Sequence, residues 1–208
     1  MKGLLLKDLY TLSKQTKVYL LFIIMFSVLP MYNANCFALI YAAMLPMTAL
    51  AYDERSKWNT LAKMMPYSET SIVLSKYILG FFSIGLALAV TTSAKLITPL
   101  FSEERFEPTD VMVIAVVASL AVIMLDVTLP LFFRFGVEKG RVIYIAVMAV
   151  MAIMVVGFAA GAFTFAMNSS AEYDLNIPII LLALLLVTAA VSALSVRVSV
   201  AICRKNTD

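Results

Sequence analysis

Apolar runs of roughly 20 residues recur along this chain, each long enough to cross a bilayer as a helix, and the cations between them are sorted by position. Fourteen of the sixteen Lys and Arg residues fall in four clusters: Lys2, Lys7, Lys14 and Lys17; Arg55, Lys57, Lys63 and Lys76; Arg134, Lys139 and Arg141; Arg197, Arg204 and Lys205. The intervening segments 31–35, 101–109 and 168–176 carry Arg105 as their sole cation, together with Glu103, Glu104, Glu107, Glu172 and Asp174. Short connections rich in Lys and Arg stay on the cytoplasmic side, so both termini are expected inside and the number of crossings is even.

Composition points the same way. With 62% hydrophobic and 14% charged residues and a mean hydropathy of +0.96, the chain has too little polar surface to cover a soluble globule of 208 residues. Crossings are expected at 18–35, 36–52, 72–100, 110–133, 142–167 and 177–196. None of these runs alternates strictly as a barrel strand does, so helices are the expected spanners. The expected fold is therefore an all-α integral membrane protein. It is one transmembrane domain over 1–208 with six transmembrane helices, cytoplasmic N and C termini, and a short amphipathic elbow helix over 1–17.

The net charge of +3 does not indicate a nucleic-acid partner, because the cations are divided among short juxtamembrane segments and interleaved with acids. Topology and the lipid bilayer account for them. Cys36 falls at the outer face and Cys203 at the inner one in this topology, which forbids a disulfide between them. The long basic stretch before Val18, with no small-residue cleavage site after it, argues against a cleaved signal peptide. The chain has no histidine, which removes Ser-His catalysis, HExxH zinc sites and His-ligated haem. A Walker A motif is also missing, since Gly136, Gly140 and Arg141 have the wrong spacing for it. No catalytic, cofactor-binding or metal-ligating residue is expected on this chain.

Leu4, Leu5, Leu9 and Leu12 follow helical spacing before the first span, and Lys7, Lys14 and Lys17 supply polar positions, so 1–17 can lie flat among headgroups. The longest polar stretch between spans begins at Asp53 and Glu54, which suit a helix start. Trp58, Leu61, Ala62 and Met65 then recur at i, i+3, i+4 and i+7, Pro66 ends the pattern, and Ser68 can cap the next helix. A short helix with this face can either rest in the interface or fill a groove in a cytoplasmic partner.

The run Ala51-Tyr52-Asp53-Glu54-Arg55-Ser56-Lys57-Trp58, then Met65-Pro66-Tyr67-Ser68 and Ile72-Val73-Leu74-Ser75-Lys76-Tyr77, resembles the corresponding loop of small bacterial ABC transporter permeases of the type-2 exporter class. Leu6-Lys7-Asp8-Leu9 is similar to their opening, and the stretch from Leu129 through Pro130, Arg134, Gly136 and Gly140 to Arg141 is similar to their second inside loop. The resemblance implies a multi-pass subunit of the bacterial plasma membrane that dimerises with a second permease subunit, as a homo- or heterodimer. It also implies a separate cytoplasmic ABC ATPase subunit that binds ATP and Mg. That subunit would dock on a coupling-helix loop over 53–71 through Glu54, Arg55, Trp58 and Leu61, and on the loop 134–141 through Arg134, Glu138 and Arg141. The second loop has a plainer explanation as well, because glycines and cations also serve the bend and orientation of any such connection.

Asp126 is the one acid well within a span, about two turns from Arg134, where an ionised carboxylate costs about 2.5–3.5 kcal/mol on insertion scales. It must face protein or water, as a gate, a substrate contact, a proton site or a packing carboxylate. Thr91, Thr92 and Lys95 are further candidate lining for a path, although Lys95 lies close enough to a span end to snorkel. Gly157 and Gly161 form a small-xxx-small pair that suits a helix–helix interface over about one turn. Pro46 and Pro130 fall inside spans and can kink them.

This sparse polar lining disfavours a sugar or ion channel. The leading expectation is the permease half of an ATP-driven exporter for an amphipathic or apolar cargo such as a peptide, antibiotic or lipid. The alternative is a non-transporting membrane partner with an immunity, sensor or assembly role. A lipid-modifying enzyme using Asp126 lacks a second catalytic group.

Overall fold

A computed structural model of the chain describes the backbone of residues 2–28, 34–65, 67–97, 108–168 and 177–205, with side chains over most of these stretches. The described residues form α-helices: α1 (Lys2–Val28), α2 (Ala34–Ala42), α3 (Leu45–Arg55), α4 (Trp58–Lys63), α5 (Glu69–Ile97), α6 (Pro108–Asn168) and α7 (Ile177–Lys205). Among them, Glu69–Ile97, Val111–Val150 and Leu181–Lys205 are long and apolar enough to span a membrane.

The amino-terminal segment differs from the expected elbow. Residues 2–28 form one continuous helix that runs from the basic stretch into the apolar run that follows. Among its described side chains Leu4, Asp8, Leu12, Tyr19 and Ile23 are buried, at spacings of four and seven that keep them on one face. Leu9, expected on the apolar face, points outward instead, and Asp8 takes the inward position. Leu12 packs with Tyr19, Leu45, Ala49 and Leu79, so the first turns rest on protein.

The expected single span over 36–52 is two helices. Pro46 stands in the first turn of α3, where its missing N–H deprives α2 of a bond needed to continue, and Ala43 and Met44 form a turn between the two. Pro130, by contrast, sits inside α6 without ending it.

A straight helix of 61 residues would be about 90 Å long, three times the thickness of a hydrocarbon core. α6 avoids this by folding at Gly136, whose φ of 76° and ψ of 175° lie in a region open essentially to glycine alone. Residues 108–135 and 137–168 are thus two limbs. Phe132 and Gly140, four residues to either side of the fold, pack so closely that a Cβ on Gly140 would lie 2.6 Å from the Phe132 ring. Met124, Phe132, Val137 and Tyr144 form the buried cluster of this hairpin. As helices the two limbs cover the segments 110–133 and 142–167.

The main core joins Ile23 of α1, Ala38, Leu39 and Ala42 of α2, Val73, Tyr77 and Ile84 of α5, and Ala118, Ala121 and Leu125 of α6. α7 is held on one narrow edge: Ser195 and Ser199 are its buried side chains among those described, whereas Leu182, Leu185, Leu186 and Leu194 are exposed. In water such a face would be untenable; in a bilayer it needs no cover. The segments 29–33, 98–107 and 169–176, with Arg105 and the acidic residues noted above, lie outside the described residues, as does Pro66.

Candidate functional site

One end of the bundle gathers the polar residues. Asp53 and Glu54, which suited a helix start, are instead the last turn of α3, which stops at Arg55. Lys57 then adopts a left-handed conformation, φ 53° and ψ 32°, and turns the chain into α4. Carboxylates at a helix C-terminus oppose the helix dipole. Here cations offset them. Lys76 of α5 lies 2.6 Å from Asp53 and donates to both oxygens of Asp8 at 2.8 Å. Lys7 is 3.0 Å from Asp8 and also donates to Asp53.

These two cations and two carboxylates form a neutral quartet that links α1, α3 and α5. Asp8, Asp53 and Lys76 are buried and Lys7 is partly open. The Lys7 ammonium also lies 4.3 Å from the centre of the Trp58 ring, which brings α4 into the same assembly. Buried charges are tolerable when paired in this way and ruinous when single.

Sequence reasoning placed Lys7 and Lys76 among topology-setting cations and missed the quartet. The signal was present: Asp8 occupies the inward stripe between Leu4 and Leu12, and Lys76 adjoins Val73, Tyr77 and Gly80 on the inward face of α5. A charge at a core register position calls for a partner.

The second connection meets the first through Glu54. The Val137 backbone N–H donates to Glu54 Oε2 at 2.7 Å. A Cβ at Gly136 would lie 3.3 Å from Glu54 Oε1, so the bare glycine backbone leaves room for the carboxylate. Arg55, Lys57, Leu61, Met64 and Met65 of the first connection are exposed, and so are Arg134, Glu138, Lys139 and Arg141 of the second. Trp58 is half-buried beneath Lys7. Ser68 accepts a bond from the Ser71 N–H at 3.3 Å and starts α5, as its sequence position suggested.

Deeper in the bundle, Asp126 is brought together with side chains from α5 and α7. Ser192 donates to Asp126 Oδ2 at 2.5 Å, and the Ser195 hydroxyl donates to the Asp126 backbone carbonyl. Tyr77 Oη lies 2.6 Å from Ser195 Oγ and 2.8 Å from Ser199 Oγ. Ser192, Ser195 and Ser199 stand at i, i+3 and i+7, one face of α7, a polar stripe legible in the sequence but not singled out there. Asp126 is fully buried and its second oxygen, Oδ1, has no hydrogen-bond partner. The arrangement fastens α7 to the bundle through polar groups in an otherwise apolar interface.

Asp126→Asn keeps an acceptor for Ser192, so thermal unfolding in detergent is expected within about 1 kcal/mol of the parent, whereas Asp126→Leu is expected to lose roughly 1–3 kcal/mol. Equal losses in the two variants would contradict the contact to Ser192.

Thr91 and Thr92 do not join this cluster. Their hydroxyls donate to carbonyls of their own helix, Ala87 and Leu88 for Thr91, Leu88 and Ala89 for Thr92. Thr91 is fourteen residues, about 21 Å along α5, from Tyr77. Lys95 sits in the last turn of α5. Gly157 and Gly161 lie on the helical second limb of α6, and their surroundings are outside the described residues.

A helical, multi-pass membrane chain whose connections meet at one end, and whose polar groups tie helices together, has the build of a membrane component rather than that of a soluble enzyme. The model for the ABC-2 family transporter proteins matches residues 3–204, and the chain belongs to that family, as a permease-type membrane component of a transporter. No curated protein and no solved structure gives a significant match.

Proposed function

We propose that the chain is the membrane-spanning half of an ATP-driven exporter of the bacterial plasma membrane. In this reading it crosses the bilayer six times with both termini in the cytosol. It acts as a homo- or heterodimer and moves an amphipathic or apolar cargo, such as a peptide, antibiotic or lipid, outward. ATP and Mg bind to separate ATPase subunits.

The observation that carries this reading is the Glu54–Val137 bond, which makes one surface of the α3–α5 connection and the 134–141 turn. An ATPase seated there would press on both at once. Leu61, Met64 and Met65 offer it an apolar contact, being 49%, 80% and 42% exposed, and Arg55, Arg134, Glu138 and Arg141 add exposed charge on the same two connections. Movement of α4 would pass to α1 and α5 through the Lys7–Asp8–Asp53–Lys76 quartet, and to both limbs of α6 through Gly136. The Asp126–Ser192–Ser195–Tyr77 cluster would serve as the gate between α7 and the rest, since it joins α5, α6 and α7 at their inner third.

The test is recovery of an ATP-hydrolysing subunit with the tagged chain from its host. Leu61→Glu combined with Met64→Glu is expected to lower that recovery at least about tenfold, as loss of a central apolar contact does, with the thermal unfolding of the chain unchanged. Trp58→Ala and Glu54→Lys are expected to lower it as well. Full retention of the ATPase by all of these variants overturns the docking assignment. Labelling of a cysteine placed at Lys57 from outside the cell overturns the orientation.

A further inference from the structure

We propose that the groove between the first turns of α5 and the last turns of α7 binds an anionic phospholipid of the leaflet on the side of the α3–α5 connection. The groove holds about 600 Å³. Leu74, Val196 and Val200 form its apolar lining, Thr70 adds a hydroxyl, and Arg197, Arg204 and Lys205 supply the charge. The register explains the grouping. Arg197, Arg204 and Lys205 stand at i, i+7 and i+8 on one face of α7, Val196 and Val200 lie one turn apart beside them, and Thr70 and Leu74 lie one turn apart on α5.

Among the described residues the neighbouring acid is Glu69, whose carboxylate is 4.0 Å from Arg204 Nε. Three cations against that one carboxylate leave the groove positive. Ordinary topology requires cations near the end of a span, but it does not require them to share a concave, apolar-lined site.

Depth selects the occupant. Arg197 is seven residues, about 10 Å, nearer the middle of the bilayer than Arg204. A phosphodiester held between them sits at headgroup level, where a guanidinium presents paired donors to phosphate oxygens. The acyl chains then run along the outward face of α7, where Leu186, Leu194 and Val198 are 60%, 61% and 50% exposed. A free phosphate would gain nothing from Leu74, Val196 and Val200. A lipid uses both the charge and the apolar lining, as basic pockets between membrane helices do.

The site needs no ATPase, so its test is independent of the docking surface. The full chain is placed in nanodiscs, and the association of spin-labelled phosphatidylglycerol relative to spin-labelled phosphatidylcholine is measured. Each cation near an anionic surface favours association by about fivefold. The variant Arg197→Gln/Arg204→Gln/Lys205→Gln is therefore expected to lower the phosphatidylglycerol preference at least about fivefold while leaving phosphatidylcholine association as it was. Arg197→Lys/Arg204→Lys retains the charge and is expected to keep most of the preference. An unchanged preference in the Gln variant overturns the proposal, and so does equal loss for both lipids or an equal loss in the Lys variant. Displacement by inorganic phosphate, with chloride at matched ionic strength as control, would instead identify a free-anion site and also overturn it.

Discussion

Lys76→Met is expected to lower the unfolding free energy of the detergent-solubilised chain by about 3–5 kcal/mol, the loss that follows when one partner of a buried ion pair is removed. Both lysines reach both carboxylates, but Lys76, 2.8 Å from Asp8 and 2.6 Å from Asp53, is the one buried with them, whereas Lys7 is partly open. Without it, two buried carboxylates share the partly open Lys7, and each has lost a charge-assisted bond. The order of effects is as informative as their size. Lys7→Met leaves Lys76 in contact with both acids and opens the more exposed corner, so its loss is expected to be clearly smaller.

Asp8→Asn added to Lys76→Met restores charge balance and is expected to recover part of the stability. Thermal unfolding followed by circular dichroism reads all three variants. Equal losses for Lys7→Met and Lys76→Met would show that the quartet is held by general electrostatics rather than by the geometry described here.

Gly136→Ala is expected to destabilise the chain by about 3 kcal/mol, from two sources. A Cβ at φ 76° and ψ 175° forces a conformation that side-chain-bearing residues avoid, worth on the order of 1–3 kcal/mol. It would also stand 3.3 Å from Glu54 Oε1, so the exposed carboxylate that accepts the Val137 N–H must give by a few tenths of an ångström, which weakens a bond worth about 1 kcal/mol. The two terms share one geometry, so they do not simply add. Glu54→Gln keeps an acceptor and is expected to lose about 1 kcal/mol or less. In the Glu54→Ala background the Gly136→Ala substitution should cost less than in the parent, because the second source is already gone. A double-mutant cycle read by thermal unfolding checks this, and strict additivity would remove Glu54 from the account.

If the quartet and the Glu54 junction carry movement from a docked subunit, Lys76→Met and Gly136→Ala should uncouple ATP hydrolysis from cargo movement at temperatures where the variants remain folded. The docking variants at Leu61 and Met64 should instead abolish association.

Much of the fold was legible in the sequence because a bilayer imposes few solutions. Apolar runs of fixed length must be helical, and the cations between them mark one side. The helices α5, α6 and α7 therefore lie close to the expected crossings at 72–100, 110–133, 142–167 and 177–196. Pro46, able to kink a span, is the point where α2 gives way to α3, a local effect of a missing N–H. Ser68 was read as a cap and caps.

The polar contacts were less legible. Leu9 belongs to the helical apolar pattern, yet it is Asp8 that turns inward, because Lys76, 68 residues away in sequence, waits opposite it. Glu54 stood in a loop that resembles a docking segment, and no periodicity could join its carboxylate to the Val137 amide, 83 residues on.

Amino-acid order alone thus determined that this chain is a helical membrane component and which of its segments are apolar and which carry charge, since each of those follows from transfer free energies and hydrogen-bond demands local to a segment. Tertiary structure alone decided which charges are paired, that Glu54 binds the opposite turn and that Asp126 meets Ser192. Those pairings depend on distances between helices that are remote along the chain, and helical periodicity within a segment carries no information about them.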